Sequence, residues 1–356
     1  MKTLAQLLTV PGNGVYTVHT GKEKKEKIFQ QYFNSKTPEI VKARWIKTLS
    51  TIDTNKPHII GIPSDNGGGI QRGANWGPLS IREQLSQDEN FNDRGDVRVI
   101  PHLLHDKYLN SQTIKICQRA LYGKVNKLPV SPLSIAEKAL TILYKKFPKI
   151  KIMGLGGDHS VSYPLVKSWL ESRKDLSQAG VLHFDAHTDL LDKRLGIDIC
   201  FGTWTYQILE MLSSRDHILQ VGIRSSGKNK KYWKEHLGVN QFWAKEVNDQ
   251  GIERVYKKIK NHFKKIGIKE IYVTFDIDAL DQKYASATGT PEPGGLTPPD
   301  CSALIRLLAQ DFKITGADLV EVAPYVWPEN ISPHDQKSSL LVAGDIAKIL
   351  LEVMNK

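Results

Sequence analysis

The stretch His183-Phe184-Asp185-Ala186-His187-Thr188-Asp189 decides how this chain reads. Entered from Val181, it begins as an apolar strand and then turns polar on alternate residues. Side chains two apart in a strand share a face, so Asp185, His187 and Asp189 start on one side. Burying a carboxylate, an imidazole and a second carboxylate together is costly unless a cation neutralises them, and metal binding is the simplest explanation.

Two further stretches share this character. Ile152-Met153-Gly154-Leu155-Gly156-Gly157-Asp158-His159-Ser160 is an apolar strand ending in glycines, with Asp158 and His159 at the turn. Ile271-Tyr272-Val273-Thr274-Phe275-Asp276-Ile277-Asp278 is β-branched and aromatic and ends in two same-face aspartates. Open parallel sheets hold their ligands beyond the carboxyl ends of the strands. The pooled set is His159, Asp185, His187, Asp189, Asp276 and Asp278, too many donors for one divalent ion. It suits two ions that share bridging aspartates, a type of site whose metals lie about 3.5–4 Å apart. A carboxylate-rich set with some imidazole favours Mn2+, two per subunit, with Ni2+, Fe2+, Co2+ or Zn2+ as alternatives.

The 356 residues, 40% of them hydrophobic, describe a globular chain with room for a sizeable core. No apolar run approaches the roughly 20 residues of a membrane helix, and the first ten residues carry no cleavage site. Three widely spaced cysteines, Cys117, Cys200 and Cys301, fit a reducing cytoplasm better than a disulfide framework. The formal charge of +11 raises nucleic acid as a partner. The basic residues, however, fall in runs such as Lys22–Lys27 and Lys257–Lys265 that read as solvated helix faces, so neither nucleic acid nor membrane is expected.

Residues 1–55 read as an N-terminal helical extension, with helices near Lys24–Phe33 and Glu39–Leu49, and residues 56–356 as one catalytic domain. His58–Pro63, Asp96–Ile100, Lys149–Leu155 and His217–Arg224 read as further strands. Ser134–Lys146 and Ser160–Arg173 read as helices between them, and residues 101–131 as irregular. Alternating strands and helices predict an α/β fold with a parallel sheet covered on both faces. Gly222-x-x-x-x-Gly227-Lys228 nearly spells a phosphate loop, but Asn229 stands where magnesium needs Ser or Thr, so a basic surface loop is expected.

With its three polar strand ends in order, the sequence resembles the ureohydrolase (arginase/agmatinase) superfamily from about Ile59 onward. The motifs are Gly156-Gly157-Asp158-His159-Ser160, Phe184-Asp185-Ala186-His187-Thr188-Asp189 and Phe275-Asp276-Ile277-Asp278-Ala279-Leu280-Asp281. Thr288–Leu296 resembles the substrate-side segment of agmatinases and arginases. The resemblance implies a three-layer αβα sandwich on a mainly parallel eight-stranded sheet, in trimers or hexamers. It also implies one ion on His159, Asp185, Asp189 and Asp276, and another on Asp185, His187, Asp276 and Asp278. Metal-activated water would attack a small guanidino or amidine substrate, releasing urea and an amine. Glu321 would hold the guanidinium, Asp189 would move the proton, and Thr290 would touch the substrate.

The chain departs from the pattern of the family it resembles at one loop. Arginases and agmatinases carry a His-Gly pair there, and Phe201-Gly202 replaces it. Phenylalanine transfers no protons, which leaves three readings. His334 or water takes over that role; or the substrate is a different amidine, packed against Phe201 or Trp204; or the protein is a metal-binding, non-catalytic sensor of a guanidino ligand. Leu191, where arginases have asparagine, argues against L-arginine. In the same loop, Lys193 and Arg194 suit a carboxylate tail, whereas Asp192 and Asp198 suit an amine such as agmatine. His183 is expected to be a packed neighbour, and Asp158 and Asp281 to support the ligands rather than join them.

Overall fold

Neighbouring strand residues of this chain point into two different cores. Ile59, Met153, Leu182 and Phe184 belong to one apolar cluster, and Ile60, Ile152 and Val181 to another. Strands buried on both faces lose the polar alternation of a half-exposed sheet and read as continuous apolar runs. The computed structural model describes residues 2–14, 21–66, 72–85, 90–100, 102–325 and 333–356, with side chains in the last segment from residue 338.

Among the described residues, one sheet holds nine strands. They are β1 (Leu8–Thr9), β2 (Pro57–Ile62), β3 (Asn92–Val97), β4 (Lys151–Gly156), β5 (Ala179–Phe184), β6 (Ile218–Ile223), β7 (Asn240–Trp243), β8 (Glu270–Asp276) and β9 (Lys313–Val320). Their order across the sheet is β1-β3-β2-β4-β9-β8-β5-β6-β7. All pairs are parallel except β1 with β3. The expected eight-stranded sheet therefore gains a two-residue antiparallel edge from the N-terminal extension.

The helices Ala244–Gln250, Ile252–Lys265, Pro298–Asp311 and Pro333–Met354 pack on one face. Lys2–Leu7, Pro38–Ser50, Pro132–Lys146 and Ser162–Glu171 pack on the other, which completes an αβα sandwich. No described helix is long and apolar enough to cross a membrane.

Three details differ from the sequence reading. β3 begins at Asn92, earlier than expected, because the polar run Asn92–Asp96 reads as a turn until its tertiary partner is known. That partner is the buried Arg82, whose Nε lies 2.7 Å from Asp93 and whose Nη1 lies 2.5 Å from Asp96. Residues 101–131 hold a helix, Ser111–Tyr122, opened by Asn110 accepting from the Thr113 amide at 2.8 Å and closed by Gly123 at φ 74°. Both cap residues were readable signals. The short strand β7 has no counterpart in the sequence reading.

The helix Pro38–Ser50 and the residue after it are stitched to the sheet through Arg94. Its carbonyl accepts from Trp45 Nε1 at 3.0 Å, and its guanidinium reaches the Thr48 and Thr51 carbonyls. Arg94 Nε also donates to His58 Nδ1 at 2.7 Å, while His58 Nε2 meets the Asp53 carbonyl at 2.8 Å. This arrangement needs a neutral ring, and burial followed by Arg94 holds His58 down to about 4. A depressed imidazole stabilises the fold fully above its ordinary value of 6.5 and loses that contribution as pH falls towards 4. The contribution is on the order of 3 kcal/mol at most. Urea unfolding at about pH 7 and about pH 4.5 should show a larger acid loss for the native chain than for His58→Gln. Equal losses would remove His58 from the account.

Candidate metal centre

The four middle strands of the sheet, β4, β9, β8 and β5, deliver every side chain of the site at their carboxyl ends. Consecutive β4 and β5 are separated in space by β9 and β8, so the chain leaves a crevice where its strand order reverses. His159 opens the turn after β4, and Asp185, His187 and Asp189 follow β5. Asp276 ends β8, Asp278 sits in the next turn, and Glu321 follows β9. Gly157 makes the closure sterically feasible. A Cβ there would stand 1.6 Å from the Ser64 carbonyl oxygen, which instead accepts from the Asp158 amide at 2.8 Å. The Gly157 carbonyl in turn accepts from the Glu321 amide at 2.8 Å.

Three of the cluster's four aspartates share one pattern. One oxygen is tied to backbone: Asp185 Oδ1 accepts from the His187 amide at 2.6 Å, Asp276 Oδ1 from Asp278 at 2.8 Å, and Asp278 Oδ1 from Ala186 at 3.0 Å. The other oxygen converges on a histidine. His159 Nδ1 lies 3.1 Å from Asp185 Oδ2, 3.2 Å from Asp189 Oδ2 and 3.1 Å from Asp276 Oδ2. His187 Nδ1 lies 3.0 Å from Asp278 Oδ2 and 3.4 Å from Asp185 Oδ1. Donor atoms of His159, His183, Asp185 and Asp189 form one group within 4.8 Å, and those of Asp185, His187 and Asp278 form another, with Asp185 common to both. His159 Nδ1 is buried with no hydrogen-bond partner, as expected of a nitrogen whose lone pair awaits a cation.

Charge tells the same story. Burial, then Asp278 and Asp185, push the Asp276 carboxyl well above its ordinary range. Burial, then Asp276 and Asp158, do the same to Glu321, and burial with Asp185 raises Asp189. Burial acts against ionised Asp185 too, but the imidazoles of His159, His183 and His187 beside it hold it well below its usual value. Burial opposes charging of His159 and His187, yet the surrounding aspartates raise both. So much negative charge in one buried place draws positive charge to it, and a pair of divalent cations fits the donor set.

Residues outside the predicted set fix the two buried imidazoles. His159 Nε2 faces Thr274 Oγ1 at 3.3 Å, and that hydroxyl donates to Asp318 at 2.7 Å, which leaves Nδ1 facing the aspartates. Thr274 lies two residues before Asp276 and so on its face, a readable signal; Asp318 is its cross-strand partner on β9 and was not readable. His183 sits in a row of donors. Trp243 Nε1 donates to Gln241 at 2.8 Å, Gln241 to Gln220 at 2.8 Å, and Gln220 Nε2 to His183 Nδ1 at 2.9 Å. His183 Nε2 then donates to Asp185 Oδ2 at 2.8 Å. With both ring nitrogens engaged, His183 orients Asp185 and has no lone pair left for a metal.

Asp189 (φ 51°) and Glu321 (φ 60°) are left-handed, two of four such non-glycine residues among those described. Side chains are held in that conformation only where their surroundings enforce it, most often at functional sites.

A cavity of about 670 Å3 opens over the cluster and is lined by Thr290, Glu321 and Phe201 among others. Glu321 Oε1 accepts from the His159 amide at 2.7 Å, and Thr290 Oγ1 donates to Asp278 Oδ2 at 3.2 Å. Two residues expected at the substrate stand elsewhere. Trp204 is fully buried beneath the cluster and donates to Asp189 Oδ2 at 2.9 Å. Asp198 is occupied by Lys107 at 2.6 Å and Tyr108 at 2.5 Å, outside the cavity. Neither residue's partner can be read from its neighbours in sequence, and both corrections have that origin. The side chain of His334 lies outside the described residues. Glu292, missed in the sequence, reaches His187 Nε2 at 3.5 Å.

Residues 55–351 match the arginase-family profile. An agmatinase of Chromobacterium violaceum is 35% identical over 275 residues, covering 75% of this chain and 76% of that protein. The human mitochondrial guanidino acid hydrolase is 31% identical over 308 residues, covering 82% of this chain and 76% of that protein. The structure of proclavaminate amidino hydrolase from Streptomyces clavuligerus superposes with a TM-score of 0.65 at 24% identity, over 85% of this chain and 94% of that one, a likeness of fold. Sequence identity of this extent, on a sheet of matching architecture, establishes that the chain belongs to the arginase family.

Proposed function

We propose that this protein is a binuclear-metal hydrolase that splits a small guanidino compound, agmatine or a guanidino acid, into urea and an amine. The observation that carries the reading is the buried, partnerless His159 Nδ1 facing three carboxylate oxygens, beside a second donor group that shares Asp185. His159, Asp185, Asp189 and Asp276 would hold one ion, and Asp185, His187, Asp276 and Asp278 the other. Manganese is the metal proposed, on the carboxylate-rich donor set. Residues 56–356 would form the catalytic domain behind the helical extension 1–55, in a cytoplasmic homo-oligomer.

When bound, a metal pair of this type makes water acidic enough to serve as a nucleophile at neutral pH. The remaining work falls to the chain. Glu321, seated on the His159 amide, can grip a guanidinium through paired hydrogen bonds and fix the direction from which its carbon is approached. Asp189, steadied by the Trp204 indole, is placed to take a proton at Oδ2 and return it to the departing amine nitrogen. Thr290 marks the substrate side of Asp278. Phe201 moves no proton, so this account asks Asp189 alone to do so.

Three measurements test the reading. Metal-replete native protein should contain two ions per chain by elemental analysis, and Asp276→Asn should hold fewer and release no urea; full metal occupancy in the variant would refute the ligand set. Glu321→Gln should keep its metal while kcat/KM falls roughly 100- to 1,000-fold, the scale of losing one group that positions or stabilises the reacting centre. An unchanged rate would free Glu321 of its assigned role. Removing the donor to His183 with Gln220→Leu should weaken metal affinity about 10- to 100-fold, read by chelator competition, with far-ultraviolet circular dichroism unaltered. Unchanged affinity would reduce the Gln241–Gln220–His183 row to packing.

A further inference from the structure

We propose that the rim of this cavity selects a guanidino acid over an amine-tailed substrate, through Arg194 and Lys228 presented as two positioned cations. The inference rests on the guanidino reading of the site and adds the chemistry of the substrate's far end.

The two cations come from different loops and line one cavity. Arg194 stands in the loop after β5, at the base of a small hairpin where its amide donates to the Ile197 carbonyl at 2.8 Å and its carbonyl accepts from the Ile197 amide at 2.9 Å. Its guanidinium lies 4.7 Å from the centre of the Phe201 ring. Lys228 stands in the loop after β6, where Ser226 Oγ donates to its carbonyl at 2.7 Å and accepts from Trp233 Nε1 at 3.0 Å. Its ammonium lies 5.3 Å from the centre of the Tyr232 ring. A ring face orients a cation while leaving its N–H donors free for an anion. Neither cation has a carboxylate within ion-pair distance among the described residues, although Lys230, two residues after Lys228, has one in Glu246.

The rest of the rim tips the balance the same way. Outside the cluster and Glu321, the charged cavity residues are Arg194, Lys228 and Asp192, two positive and one negative, for a net of +1. Asp198, which could have drawn an amine, is consumed by Lys107. An ammonium tail would meet two like charges with one acid to offset them. A carboxylate tail would accept charge-assisted hydrogen bonds from both, its methylene stem against Phe201 and Tyr232. Phe201 thereby gains a use: it carries Arg194.

The test compares guanidinobutyrate and agmatine on the metal-loaded full chain, by calorimetric binding and by urea release. Guanidinobutyrate should bind roughly tenfold tighter than agmatine, the scale of a hydrogen bond to a charged group. That preference should shrink as salt rises from about 0.05 M to about 0.5 M. Arg194→Gln with Lys228→Gln, which keeps both stems, should raise KM for the acid about tenfold with kcat retained. Arg194→Glu with Lys228→Glu should favour agmatine. Equal or better binding of agmatine by the native chain, or an unaltered preference in both double variants, would overturn the proposal. Urea from agmatine with no preference for the acid would leave the hydrolase reading standing and remove this one. Acid-selective binding without urea from either compound would do the reverse.

Discussion

Five carboxyl groups, Asp185, Asp189, Asp276, Asp278 and Glu321, each no more than 9% exposed, meet at one end of a single sheet. Bringing like charges together out of water is the least favourable thing this fold does, and neighbouring features are arranged to make it tolerable. Backbone amides occupy one oxygen of three of the aspartates, two imidazoles face the oxygens left over, and the geometry leaves room for cations. A site of this kind is rigid because each group has one low-energy position.

That rigidity is borrowed from the sheet. β4, β9, β8 and β5 are buried on both faces, and their register places Thr274 beside Asp318, and His183 beside Gln220. The same register carries the row of donors from Trp243 on edge strand β7 to Asp185 at the centre. A slip of one residue would turn each of these side chains to the opposite layer. Beneath the site, Phe184 and Phe275 stack at 5.0 Å, so the strands that present Asp185 and Asp276 are also locked by apolar contact.

The cavity above the cluster is governed by different physics. Its floor belongs to strand ends, but its rim belongs to loops, where Arg194 lies over Phe201 and Lys228 over Tyr232. The cluster's carboxylates and imidazoles sit at strand ends, and the two rim cations sit on loops, segments that can vary without disturbing the scaffold.

The strand ends and their acidic residues were legible in the sequence because strand periodicity is local: two residues apart means one face, whatever surrounds them. So were the helices Lys22–Phe33 and Pro38–Ser50, to within two residues, the layered α/β architecture, and the six donors that the structure brings near one another. Only the tertiary structure decided that Trp204 lies under the cluster, that Asp198 is spent on Lys107, that Thr274–Asp318 and Gln220 orient the two buried imidazoles, and that Lys228 faces the same cavity as Arg194. Each of those depends on a partner far away in sequence, and a side chain's hydrogen bonds and charges are set by whichever distant residue folding brings within about 3 Å of it.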